Sequence, residues 1–159
     1  MHYFKVAGIL LILAAGALAG LGLSAFERRR CRQANGFLAL VRYIRLQIDY
    51  FSQPVPRILA SCENSVLADC GVESDKLADL TALLRSTRLY LPEDMCRLLW
   101  EFGNRLGGSY REDQLRCCDY LLERLTPYCD RLRAELPKRE KMMLLLPVSL
   151  AATLVLLLI

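Results

Sequence analysis

Histidine is almost missing from this sequence. The only one is His2, and the only tryptophan is Trp100. Without a second histidine no Ser/His/Asp relay can be assembled, and a zinc site of mixed cysteine and histidine ligands has no histidine near a cysteine pair. C-x-x-C pairs are absent, as are Gly-rich phosphate loops of the G-x-x-x-x-G-K type. No segment alternates apolar and polar residues in the manner of a strand. These gaps argue against nucleophilic hydrolysis, zinc ribbons, nucleotide binding and β architecture. The expectation is an all-α protein that is not an enzyme, with no catalytic residue, no cofactor and no metal.

Cysteine is plentiful by contrast, at positions 31, 62, 70, 96, 117, 118 and 129. The odd count does not suit a disulfide framework. Cys118 and Cys129 fall in an apolar seam, where a reduced thiol behaves as a small hydrophobe. A reduced, cytoplasmic body follows.

The net charge is +4, but residues 33–137 carry thirteen basic and fifteen acidic side chains, a net of −2. The central part therefore offers no basic face to nucleic acid. The positive excess lies in two clusters. Arg28, Arg29, Arg30 and Arg32 follow one apolar run, and Lys138, Arg139 and Lys141 precede another.

The first run, Val6 to Phe26, has 21 residues, about 31 Å as helix and enough to cross a bilayer. A cleaved signal peptide ending at Ala17-Leu18-Ala19 is the rival reading, opposed by the arginines directly after the run, which hold the following chain on the cytoplasmic side. Gly16 and Gly20 have the small-xxx-small spacing of a helix contact face. The second run, Met142 to Ile159, has 18 residues without a charge. Pro147 lies inside it and is expected to kink it or end its first turns. The division expected is 1–26 and 142–159 as transmembrane segments and 27–141 as a cytoplasmic helical bundle. Each basic residue at the headgroups gains about 1 kcal/mol from anionic lipid.

Between the runs, the pattern predicts a helix from Glu27 to Phe51 with Phe37, Val41, Ile44, Ile48 and Phe51 on one stripe. Ser52-Gln53-Pro54-Val55-Pro56 breaks it. A second helix carries Ile58, Leu59, Cys62, Val66 and Leu67 and ends near Gly71. A third is capped by Ser74 and buries Leu77, Leu80, Leu83 and Leu84. A fourth starts with Pro92 at its first position, has Met95, Leu98, Leu99, Phe102 and Leu106 as its apolar stripe, and ends at Gly107-Gly108-Ser109. The last is long, with Leu115, Cys118, Leu122, Leu125, Cys129, Leu132 and Leu136 as its seam. The bundle counts five helices, or six if Pro127 breaks the last one.

Acids and bases such as Arg111, Glu112, Asp113, Asp119 and Glu123 fall off the seam at helical intervals, as solvated faces do. The most pointed local signature is Trp100, Phe102 and Gly103 with Leu106 and Gly107. It reads as a helical hairpin in which Gly103 admits a neighbouring backbone and the turn offers a docking surface. Gly103, Arg105, Gly107, Arg111, Glu112 and Asp113 are the candidate partner-binding residues.

Several pieces occur in order: Glu27 with its basic run, Leu46-Gln47-Ile48-Asp49-Tyr50 before Pro54 and Pro56, Phe102-Gly103 with Leu106-Gly107, Gln114, and Lys138 to Met142 before the last run. In this the chain resembles the stage III sporulation protein AB family of endospore-forming bacteria, over essentially its whole length. The resemblance implies a shortened relative of the inner-membrane platform proteins of type II secretion and type IV pilus machines. Those have two copies of a helical domain, and this chain has room for one. It implies a non-enzymatic subunit in the mother-cell membrane around the forespore, part of a channel-like complex. Its implied partners are the secretion-type ATPase homologue, stage III sporulation protein AA, other stage III channel proteins and membrane lipid. Self-association stays open, and so does a generic membrane-anchored scaffold or sensor module without ATPase coupling.

Overall fold

The computed structural model describes residues 2–51, 53–72, 79–108 and 110–158. Six α-helices make up the architecture: α1 (His2–Phe51), α2 (Val55–Ala60), α3 (Asn64–Cys70), α4 (Leu80–Ser86), α5 (Glu93–Arg105) and α6 (Arg111–Leu158). No strand occurs among the described residues. The all-α expectation therefore holds. Two compact units result, one made of Met1–Arg29 with Arg133–Ile159 and the other of Arg30–Leu132.

In the second unit α1 is the central helix. From Gln33 to Val41 only Asn35 and Ala39 escape full burial. Phe37, Leu40 and Ile44 are completely enclosed. The expected stripe is therefore too narrow at one end and too long at the other. Phe51, the last residue of α1, is 65% exposed. Gly36 permits a close approach to α3: a Cβ there would lie 2.7 Å from both the Asp69 carbonyl carbon and the Cys70 nitrogen. Beside it the buried Gln33 side chain donates to the carbonyls of Cys70 and Arg88, each at 2.9 Å, and accepts the Tyr90 N–H at 2.7 Å. One amide thus serves three backbone groups, the Cys70 carbonyl buried and the other two part-buried.

The predicted second helix is two. Tyr43 donates its hydroxyl to the Ser61 carbonyl at 3.1 Å, and Ser61 Oγ donates to the Ile58 carbonyl at 3.1 Å. These bonds replace helical ones and part α2 from α3 at residues 61–63. Gly71, with φ 92°, ends α3 in the left-handed conformation. The predicted Ser74 cap and Leu77 lie outside the described residues. In α4, Leu80, Leu83 and Leu84 are buried as expected, and α4 packs on α5.

Pro92 precedes α5 as its cap, one position earlier than predicted, with Glu93 and Asp94 in the first turn. Leu99, Phe102 and Leu106 are buried, while Met95 and Leu98 are half-buried. On α6 the buried line is Cys118, Leu121, Leu125, Cys129 and Leu132. Leu121 therefore takes the place expected for Leu122, which is half-buried. The sixth helix comes from the division of α2 and α3. Pro127 interrupts nothing.

In the first unit, segments of α1 and α6 pack together. A Cβ on Gly16 would sit 2.9 Å from the Ala151 Cβ and 3.0 Å from the Pro147 carbonyl oxygen, so absence of a side chain lets these helices touch. Of the two outcomes expected at Pro147, an end to the helix does not occur: α6 runs through it. A proline forfeits one backbone bond, and the Pro147 turn lies against Gly16. Nearby, Ser149 donates its hydroxyl to the Leu146 carbonyl at 2.9 Å. No helix is long and apolar enough to cross a membrane among the described residues. The run 6–26 includes side chains outside the description at 6, 7, 10 and 13, and the run 142–159 includes those at 144, 154 and 156–159.

Candidate functional site

The turn between α5 and α6 is built by backbone chemistry. Leu106 leaves the helix in an extended conformation, and Gly107 follows at φ 90°, a conformation that a side chain disfavours. The carbonyl of Tyr110 then accepts the N–H groups of Asp113 and Gln114, both at 3.0 Å, and α6 begins. Tyr110 itself is 87% exposed.

Two grooves flank this turn. One, of about 540 Å³, is lined by Asn104, Arg105, Gly108, Asp113, Arg116, Cys117 and Tyr120. A second, of about 310 Å³, is formed by Ile48, Gln53, Pro54, Val55, Pro56, Gly107, Arg111 and Gln114. A smaller hollow lined by Leu98, Phe102 and Leu121 adjoins the first through shared Arg105, Cys117 and Tyr120. Both volumes are those of ordinary binding clefts.

The six candidate residues have different surroundings. Arg105 and Asp113 share the larger groove. Glu112 is exposed in the first turn of α6. Gly107 forms the turn, in contact range of Val55. Gly103 is buried: a Cβ there would lie 3.3 Å from Thr81 Cγ2 and 3.5 Å from Leu84 Cδ1, so it serves the α4–α5 contact. Arg111 is held to the end of α1 by bonds to Ile48 and Asp49. Sequence reasoning missed Asn104, Arg116, Cys117 and Tyr120. The last three stand with Asp113 at intervals of three, four and seven, which is one face of a helix.

The surface between α1 and α6 in the same unit is charged. Arg45 donates to Asp119 at 2.5 Å and lies 3.9 Å from Asp49. The hydrogen bond to Asp119 is the main reason why the Arg45 pKa is raised. Arg30 donates to the Tyr128 hydroxyl at 3.1 Å and sits over its ring, and Arg32 is exposed. In the first unit Arg28 pairs with Glu140, a bond that raises the Arg28 pKa, and Arg139 pairs with Glu135 and Glu27. Arg29, Lys138 and Lys141 are exposed.

All seven cysteines are free thiols. Burial pushes Cys118 up to about 12 and pushes Cys70 still further up; Cys62, Cys96 and Cys117 move the same way for the same reason. A raised pKa keeps a thiol protonated, the less nucleophilic form. No cluster of three or more metal-ligating side chains is present among the described residues.

Residues 5–159 match the profile of the stage III sporulation protein AB family. The chain belongs to that family. Neither among curated proteins nor among solved structures is there a significant match. Membership of the stage III sporulation protein AB family implies a role in stage III of sporulation, carried by an all-helical chain.

Proposed function

We propose that this protein is a non-enzymatic membrane platform subunit of the sporulation channel complex between mother cell and forespore. It couples a cytoplasmic ATPase, the stage III sporulation protein AA, to membrane components. The observation that carries this reading is the make-up of α1 and α6. Each is a helix of about fifty residues that joins an uncharged run to an amphipathic part, with basic residues at the junction.

Both basic clusters lie on the same side of their runs in the sense of the positive-inside rule, which puts residues 27–141 in the cytoplasm and both termini across the mother-cell membrane. The body then meets the ATPase at the α5–α6 turn, where Arg105, Arg116, Asp113 and Tyr120 line an open groove. The side chains there have the acid, base and phenol groups of a docking face, no histidine is among them, and the one thiol, Cys117, is pushed up by burial, away from the thiolate form.

Mild crosslinking in sporulating cells, followed by purification of the tagged chain and mass spectrometry, tests the proposal. Recovery of the AA ATPase together with other stage III channel proteins supports it. Channel proteins without the ATPase would leave the second reading, a membrane scaffold with no motor coupling.

A further inference from the structure

The basic residues beside the apolar runs are not equivalent. Arg28 Nε donates to Glu140 Oε1 at 2.5 Å, and its Nη2 donates to Oε2 at 3.3 Å. Arg139 donates to Glu135 Oε2 through Nε at 3.0 Å and Nη2 at 2.7 Å. Its Nη1 also lies 4.0 Å from Glu27 Oε2, on a side chain only 7% exposed. Two pairs of opposite polarity thus join α1 to α6 inside the first unit. Exchanging the partners would set Glu27 against Glu140 and Arg28 against Arg139, like charge on like. The clasp therefore specifies one register.

Arg29, Lys138 and Lys141 stand apart from this clasp, and all three are exposed. Next to them in sequence the same helices expose large apolar side chains, Leu21, Leu23 and Phe26 on α1 and Met142 and Leu145 on α6. Exposed apolar surface that ends in exposed cations matches a bilayer carrying anionic headgroups. A soluble acidic partner would satisfy the cations and leave the apolar surface uncovered.

We infer that the basic residues divide their work: Arg28 and Arg139 close the α1–α6 clasp, and Arg29, Lys138 and Lys141 bind anionic phospholipid headgroups. The inference rests on the membrane reading of the apolar runs.

The full chain is reconstituted in phosphatidylcholine vesicles with and without phosphatidylglycerol, and the lipid that copurifies with it is quantified. Substitution R29E/K138E/K141E is expected to lower the preference for phosphatidylglycerol about fivefold for each charge lost, as about 1 kcal/mol per basic residue implies, and to leave the unfolding midpoint in detergent unchanged. R28E should lower that midpoint, R28E/E140R should restore it, and neither should change lipid preference. If the triple variant fails to fold, R29Q/K138Q/K141Q takes its place. Full phosphatidylglycerol preference in the triple variant, or its loss in R28E, would overturn the division. Wild-type protein that floats with vesicles after an alkaline wash and shows no phosphatidylglycerol preference defeats this inference alone. Protein that does not float defeats the membrane reading with it.

Discussion

Arg111 at the start of α6 closes the end of α1 by gripping Asp49 twice: its Nη2 donates to Asp49 Oδ1 at 2.9 Å and to the Asp49 carbonyl, while Nε donates to the Ile48 carbonyl at 3.2 Å. The last carbonyls of a helix have no partner of their own, and a cation there also meets the negative end of the helix dipole. Arg111→Ala should cost about 1 kcal/mol, the upper end for an exposed ion pair, since the pair is half-exposed and screened. Thermal unfolding of the full chain in detergent measures it. Arg111→Lys, which keeps the charge and loses the fork, should fall between the two. An unchanged midpoint in the alanine variant would remove Arg111 from the list of residues that hold α1 and α6 together.

The glycines should rank by the space around them. Gly36→Ala drives a methyl into the α3 backbone at 2.7 Å, and neither helix can yield cheaply. The cost should reach about 3 kcal/mol, the upper range for overpacking. Gly103→Ala meets the flexible end of Thr81 at 3.3 Å and should cost about 1 kcal/mol. Gly8→Ala meets nothing within 4 Å and should be neutral or slightly stabilising. A Gly36→Ala midpoint no lower than that of Gly103→Ala would contradict the packing of α1 on α3.

Gln33→Leu should be among the most damaging polar substitutions. It removes the bonds to the Cys70 and Arg88 carbonyls and to the Tyr90 N–H, and the buried bond to Cys70 alone is worth about 1–3 kcal/mol. Hydrogen exchange at the Tyr90 amide reads the effect directly. It should be slow in the wild type and fast in the variant, and equal rates would show that the bond does not form.

Alkali should destabilise the fold. Burial raises the Cys118 thiol from 9.0 to about 12 in the folded state, and Cys70 moves in the same direction. The folded chain then holds protons that the unfolded chain releases, so this contribution is complete below pH 9.0 and is lost as pH rises towards about 12. Unfolding midpoints taken across that interval should fall, and Cys118→Ala should flatten the fall. A midpoint that rises with pH would refute the assignment. Alkylation under native conditions should reach half-buried Cys96 and Cys117 before buried Cys70 and Cys118.

Much of this fold was legible in the sequence because it is local. The Pro92-Glu93-Asp94 start of α5, its Leu99-Phe102-Leu106 stripe and the Gly107 turn are written in neighbouring residues. The division of α2 from α3 was not, since it depends on Tyr43, eighteen positions before Ser61. Burial on several sides of α1 was hidden for a related reason. Ala34, Asn35 and Gly36 look like an interruption of an apolar stripe, and only the arrival of α3 makes their small size a requirement. At the site, Arg105 and Asp113 were found by proximity to the glycine turn. Tyr120 and Arg116 join them through helical spacing, and Gly103 and Arg111 belong to the framework beneath.

The central claim, that the α5–α6 turn docks a cytoplasmic motor, is tested most directly by a photoactivatable amino acid placed at Tyr120 in the larger groove and, as a control, at exposed Ala39 on α1. Illumination of sporulating cells should yield a covalent adduct with the stage III sporulation protein AA from position 120 and none from position 39. Adducts with membrane components alone, or equal capture from both positions, would contradict it.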